Sequence, residues 1–188
     1  MIAGFAYLVV GWLFIAVVGG LADVLSLTVM LPATSAVVIT HAAFSRRLSL
    51  PGGVALAIAL GYLEDLHQGA PVGTLALSHG LSFLILRWAS GRFHLGGWVL
   101  RSLASVAAIA VIDLLTFGTL LVMSDALSLR REALVTALSA ARWHALATAL
   151  VAAPVWSVLD RVLTLLRVAD DPPPSSGLNT AGSRGGDA

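Results

Sequence analysis

Apolar runs, cut by short polar or glycine- and proline-marked breaks, fill the chain from Ile2 to Leu166 and predict about six membrane-spanning helices. The first, Ile2–Ala22, ends at Asp23; its 21 residues make about 31 Å of helix, enough to cross a bilayer core of about 30 Å. No basic residue precedes it, so it reads as a span rather than a cleaved leader. Gly4, Gly11 and Gly19 recur about every two turns and draw a smooth stripe for a neighbouring helix. The second run, about Leu25–Phe44, holds Pro32, which predicts a kink or the true helix start. His41, near its far end, reads as a packed, hydrogen-bonded side chain rather than a ligand. Arg46 and Arg47 follow, then a turn at Pro51-Gly52-Gly53.

The third run, Gly53–Leu66, is short. The fourth, Ala70–Trp88, places Ser78, His79 and Ser82 near one face, where they can bond across helices. Arg87 and Trp88 form an interfacial anchor. The fifth, Trp98–Met123, carries a small-residue face of Ser102, Ala104, Ser105, Ala107 and Ala108. Asp113 lies within it. A carboxylate there costs about 2.5–3.5 kcal/mol on insertion scales, so it faces protein or water, with Thr116 as a local partner. A more polar connector, Ser124–Arg142, reads as an interfacial helix or a partner-binding face. The sixth run, Trp143–Leu166, contains Pro154. Residues 1–168 thus form one all-α transmembrane domain. Residues 169–188, polar and rich in proline, serine and glycine, have no apolar face to bury and are expected to be disordered.

The rest of the chain is organised around the break between the third and fourth runs. It reads Gly61-Tyr62-Leu63-Glu64-Asp65-Leu66-His67-Gln68-Gly69-Ala70-Pro71-Val72-Gly73. Gly69, Pro71 and Gly73 mark a tight break and a restart, because glycine frees φ and proline suits a first helical turn. Glu64 and Asp65 are adjacent and so point about 100° apart on a helix. One is expected to face the bundle and the other interfacial water.

Composition supports lipid as the solvent. The chain of 188 residues is 58% hydrophobic and 11% charged, against about 25% charged in soluble domains. Mean hydropathy is +0.93. A net charge of +1 without a long basic run gives nucleic-acid binding no support. Cysteine is absent, which excludes disulfides and thiolate chemistry. The arginines orient the spans: Arg46, Arg47, Arg87, Arg92, Arg101, Arg161 and Arg167 fall on one side of a six-span arrangement, so both termini are expected in the cytoplasm.

Candidate chemistry is sparse. No Gly-x-Ser-x-Gly elbow, His-Glu-x-x-His motif or phosphate loop occurs. Glu64, Asp65, His67 and His79 could meet across the turn as an oxygen/nitrogen metal site or an acid–base pair. The plainer alternative is an acidic turn that sets orientation and touches a partner.

The run Arg46-Arg47, Pro51-Gly52-Gly53, Gly61-Tyr62-Leu63-Glu64-Asp65-Leu66, Gly69-Ala70-Pro71-Val72-Gly73 and Leu77 resembles the rod shape-determining protein MreD family. That family carries a Gly-x-x-x-Asp-Leu near the end of its third span, then a Gly-x-Pro-x-Gly restart. Gly61, Asp65, Leu66, Gly69, Pro71, Gly73 and Leu77 match; Glu64 occupies a place commonly uncharged there. The resemblance implies a non-enzymatic inner-membrane scaffold of the cell-elongation machinery, without cofactor or metal. Its expected partner is MreC, and more widely MreB, RodA and its transpeptidase. It also implies a fold like the substrate-binding component of energy-coupling-factor transporters. A vitamin-type binding subunit is therefore the second reading, although span 1 offers only Ala16-x-x-x-Gly20 where that class commonly carries Ala-x-x-x-Ala steps. The residues expected to matter are Gly61, Glu64, Asp65, His67, Gly69, Pro71 and Gly73 at the hairpin, with His79 and Asp113 as intramembrane polar groups.

Overall fold

The computed structural model describes residues 2–25, 32–68, 71–93, 95, 97–123 and 131–170. Among these, every regular element is an α-helix: α1 (Ile2–Leu25), α2 (Thr34–Ser45), α3 (Leu50–Gln68), α4 (Thr74–Ala89), α5 (Gly97–Val122) and α6 (Arg131–Asp170). Three of them carry apolar stretches long enough to cross a membrane: Ile2–Leu21, Gly97–Val122 and Arg142–Leu166. Among the described residues the chain is all-helical, with the makeup of a membrane protein.

Several boundaries differ from the expected ones. In the second run α2 covers Thr34–Ser45, 12 residues or about 18 Å of helix, and residues 26–31 lie outside the described residues. Pro32 stands just before it and its carbonyl accepts from the Thr34 N–H at 2.9 Å, so the proline marks the start rather than a kink. The third helix begins earlier than expected, at Leu50, because Pro51 fits a first turn, and it runs through the acidic pair to Gln68. It is 19 residues long, not short. The connector does not form a separate interfacial helix over its second half. Residues 131–142 continue into α6, a single helix of 40 residues, about 60 Å, with Pro154 inside it. Residues 124–130, the 171–188 tail and Gly69 lie outside the described residues.

Packing follows the small-residue logic. A side chain at Gly11 would meet Leu60 at 2.7 Å, and Gly4 and Gly19 lie against Leu48 and His67, so the glycine stripe of α1 faces α3 and the turn before it. The main apolar core joins Tyr7, Ile15, Val38, Leu60, Phe83 and Leu159 from α1, α2, α3, α4 and α6. The outward faces are apolar too, with Phe5, Val17, Leu103, Leu114 and Leu150 among the most exposed side chains. A soluble protein would not leave so much greasy surface open; hydrocarbon would cover it.

The helix ends alternate. Arg87 at the end of α4 donates to the carbonyls of Ala43 and Leu48, each at 3.0 Å, and so caps the end of α2. Arg46, left-handed at φ 53°, reaches Ser90 at 3.5 Å. Tyr7 near the start of α1 meets Ser45 at 2.8 Å, and Arg101 near the start of α5 meets Asp160 of α6 at 3.0 Å. The beginnings of α1, α3 and α5 and the later parts of α2, α4 and α6 therefore share one arginine-rich end.

Candidate functional site

The α3–α4 hairpin is built by three residues with separate tasks. Gly61 lets the helices touch backbone to backbone: a Cβ there would lie 2.5 Å from the Leu75 carbonyl oxygen and 2.7 Å from the Ala76 Cα. Asp65 turns back to cap the start of α4. Its Oδ2 accepts from the Gly73 and Ala76 N–H groups at 2.8 and 3.3 Å, and its Oδ1 accepts from Leu75 at 2.9 Å. Those donors have no intrahelical acceptor, and a carboxylate at a helix N-terminus also meets the favourable end of the helix dipole. Gly73, at φ +97°, takes a left-handed conformation that other residues adopt only with strain, and so starts α4 in the right direction. Pro71 accepts from the Thr74 N–H at 3.1 Å, closing the turn.

Neither acid faces interfacial water, contrary to the expectation. Asp65 is 1% exposed and Glu64 is 7% exposed. They do diverge, but into two internal destinations. Glu64 points to α2 and α4, where its Oε1 accepts from the Ser35 hydroxyl at 2.6 Å and its Oε2 lies 3.1 Å from His79 Nε2. Ser35 Oγ is also 3.0 Å from that same nitrogen. His79 Nδ1 faces the Leu75 carbonyl at 2.9 Å; a carbonyl only accepts, so Nδ1 carries a proton.

A buried Ser–His–Glu trio invites comparison with a nucleophilic relay. There the hydroxyl and the carboxylate sit on opposite ring nitrogens, so that the acid orients the base. Here both sit on Nε2, and Ser35 is wholly buried. The geometry suits a charge-bearing structural knot rather than acyl transfer.

Two further polar groups lie beside this knot. Asp113 of α5 and His144 of α6 are close enough to interact electrostatically with each other and with Glu64, and Asp113 with His79 as well. Thr116 does not serve Asp113 as expected. It donates to Ser78 of α4 at 3.0 Å, fastening α5 to α4, because its hydroxyl lies on the α4-facing side. Ser82, one turn beyond, is buried without a hydrogen-bond partner. Thr148 of α6 accepts from the Ala33 N–H at 3.0 Å and so serves the start of α2.

The proposed four-residue cluster is not assembled. Of Glu64, Asp65, His67 and His79, only Glu64 and His79 meet. His67 is exposed and lies beside Gly19 of α1. No group of three side chains able to hold a metal occurs among the described residues.

A second network lies toward the arginine-rich end. His41 Nε2 donates to Asp160 Oδ1 at 2.9 Å, and its Nδ1 takes the Tyr7 hydroxyl at 2.8 Å. Asp160 Oδ2 accepts from Arg101 at 3.0 Å. Trp156 packs edge-on to His41 at 4.7 Å between ring centres and donates to Ser105 at 3.2 Å. His41 is thus the packed, hydrogen-bonded residue the sequence suggested.

No protein-family model, characterised protein or solved structure matches the chain. The site is therefore read from its own geometry. The sequence points to Glu64, His79, Asp113 and His41 but does not show Ser35 and His144 around the first three, or Tyr7 and Asp160 as the partners of His41. The available signal was the rarity of polar residues in long apolar runs: each intramembrane hydroxyl, imidazole or carboxylate needs a partner, and these were the remaining candidates.

Proposed function

We propose that the chain is an MreD-type scaffold of the bacterial inner membrane, which holds an MreC-type protein in the cell-elongation machinery. In this reading the six helices cross or dip into the bilayer as a six-span bundle resembling the substrate-binding component of energy-coupling-factor transporters, and both termini lie in the cytoplasm. MreB, RodA and its transpeptidase are the wider partners.

The observation that carries the proposal is the hairpin. Gly61, Asp65 and Gly73, through which the chain resembles that family, are the residues that close α3 onto α4. A motif whose parts each perform a stated structural task is a stronger match than a chance string of apolar residues. The arginine-rich end supports the orientation, since positive loops stay in the cytoplasm. With both acids committed inward, recognition falls to outward-facing side chains and not to Glu64 or Asp65.

Co-expression of the tagged chain with the MreC-type protein of the same genome, followed by purification in mild detergent, tests the reading. Stable co-elution at a fixed ratio supports it. A chain that elutes alone while the MreC-type protein is folded and abundant contradicts it.

A further inference from the structure

We infer that Ser35, Glu64 and His79 form an intramembrane proton-binding site, which holds one exchangeable proton on the line between His79 Nε2 and Glu64 Oε2. Donors and acceptors balance in this cluster only when one extra proton is present. The Leu75 carbonyl fixes a proton on Nδ1, and the Ser35 hydroxyl spends its only proton on Glu64 Oε1 at 2.6 Å. That leaves Nε2 facing Oε2 at 3.1 Å and Ser35 Oγ at 3.0 Å. Without a further proton, three lone-pair-bearing atoms would confront one another in a buried place. With one proton the Nε2–Oε2 contact becomes a hydrogen bond, donated by the ring to the carboxylate (and shared with Ser35 Oγ) or by the carboxyl to the ring, and the pair is neutral overall.

Releasing that proton to an external base leaves one net negative charge inside the bundle. Such a charge is costly in hydrocarbon, and intramembrane ionisable pairs commonly mark functional sites. The charged neighbours on every packed helix bear on it. Asp65 on α3 is tied to the start of α4. Asp113 on α5 and His144 on α6 interact with Glu64 across the interior. Tyr7 of α1 and His41 of α2 are engaged with each other. Asp113 has no hydrogen-bond partner among the described residues and is partly open, which makes it the adjoining group able to exchange with water or with a ligand proton. Because Ser35 stands in the first turn of α2, losing the proton sets repulsion between α2, α3 and α4 at one point. The site would then link proton occupancy to the seating of α2. This goes beyond a scaffold role and does not depend on it.

The test uses the full chain in lipid nanodiscs, labelled with ¹⁵N-histidine and ¹³C-glutamate. Glu64 and Glu132 are the only glutamates, so His79 is assigned in the wild type by its dipolar contact with Glu64. At neutral pH the expected ring is protonated at Nδ1 and either also at Nε2 or paired with a protonated Glu64 carboxyl in the infrared spectrum. Raising pH removes one proton in a single step, and amide exchange in the first turn of α2 speeds at least tenfold across that step. E64Q removes the step. A bare Nε2 beside an ionised Glu64 at neutral pH overturns the inference, as does a titration that E64Q leaves in place. The wild-type spectra decide occupancy by themselves if E64Q does not fold.

Discussion

Replacing Gly61 with alanine tests the closure of the hairpin by one methyl group. The added Cβ meets backbone on α4, at 2.5 Å from the Leu75 oxygen and 2.7 Å from the Leu75 carbon and the Ala76 Cα, so no rotamer change relieves it. Restoring an ordinary contact of 3.4 Å requires the helices to part by roughly 0.9 Å at that point. The Asp65 bonds to Gly73, Leu75 and Ala76, at 2.8, 2.9 and 3.3 Å, lie a few residues away and lengthen with the separation. Overpacking costs about 1–3 kcal/mol, and weakening a helix cap about 1 kcal/mol more. Alanine recovers about 0.5–1 kcal/mol of helix propensity. The net expectation is a loss of about 1–3.5 kcal/mol in SDS-titrated unfolding from mild-detergent micelles, followed by circular dichroism. Gly20→Ala is the control, since nothing lies within 4 Å of its Cβ; it should be neutral or slightly stabilising. If Gly61→Ala is as stable as the wild type, α3 and α4 are not in backbone contact and the hairpin described here is wrong.

Other substitutions separate the remaining devices. Asp65→Ala removes a carboxylate acceptor from three N–H groups and should cost about 2–3 kcal/mol in the same assay; combined with Gly61→Ala, the losses should sum to less than their total, because the first change already spoils the cap. Gly73→Ala meets no atom but must hold φ near +97°, so a loss of about 1–2 kcal/mol measured by unfolding would come from strain alone. Tyr7→Phe leaves His41 Nδ1 without its donor and should cost about 1–2 kcal/mol, whereas Arg101→Ala should cost less than about 1 kcal/mol, since the Asp160 side chain is 43% exposed and solvent screens the pair.

The parts of the fold legible in the sequence were those written in patterns of apolar length and small residues. The runs of α1, α5 and the later part of α6 stand within a few residues of where their hydrophobicity put them, because only a helix satisfies a backbone in hydrocarbon. The glycine stripe of α1 was visible as spacing, and its partner α3 was not. In the second run Pro32 allowed a kink or a true start, and only the structure, with α2 opening at Thr34, chooses between them. In the candidate site, the three hairpin residues Gly61, Asp65 and Gly73 were recognisable, but their tasks are set by the way α4 folds back on α3. A sequence shows that Glu64 and Asp65 diverge; it does not show that both directions lead inward, because the second direction is set by α4 folding back over the turn. His67 carried the same chemical promise as His79 but lies outside the knot, against Gly19 of α1.

The chain contains no cysteine, so single introduced cysteines give a clean report of sidedness. The most direct measurement of the account is labelling of Ser49→Cys and Val72→Cys with a membrane-impermeant maleimide, in cells with a permeabilised outer membrane and in inverted vesicles. Ser49 precedes α3 and Val72 lies in the exposed turn after it. Val72→Cys should react from the periplasmic side only and Ser49→Cys from the cytoplasmic side only. Labelling of both positions from the same side would contradict it.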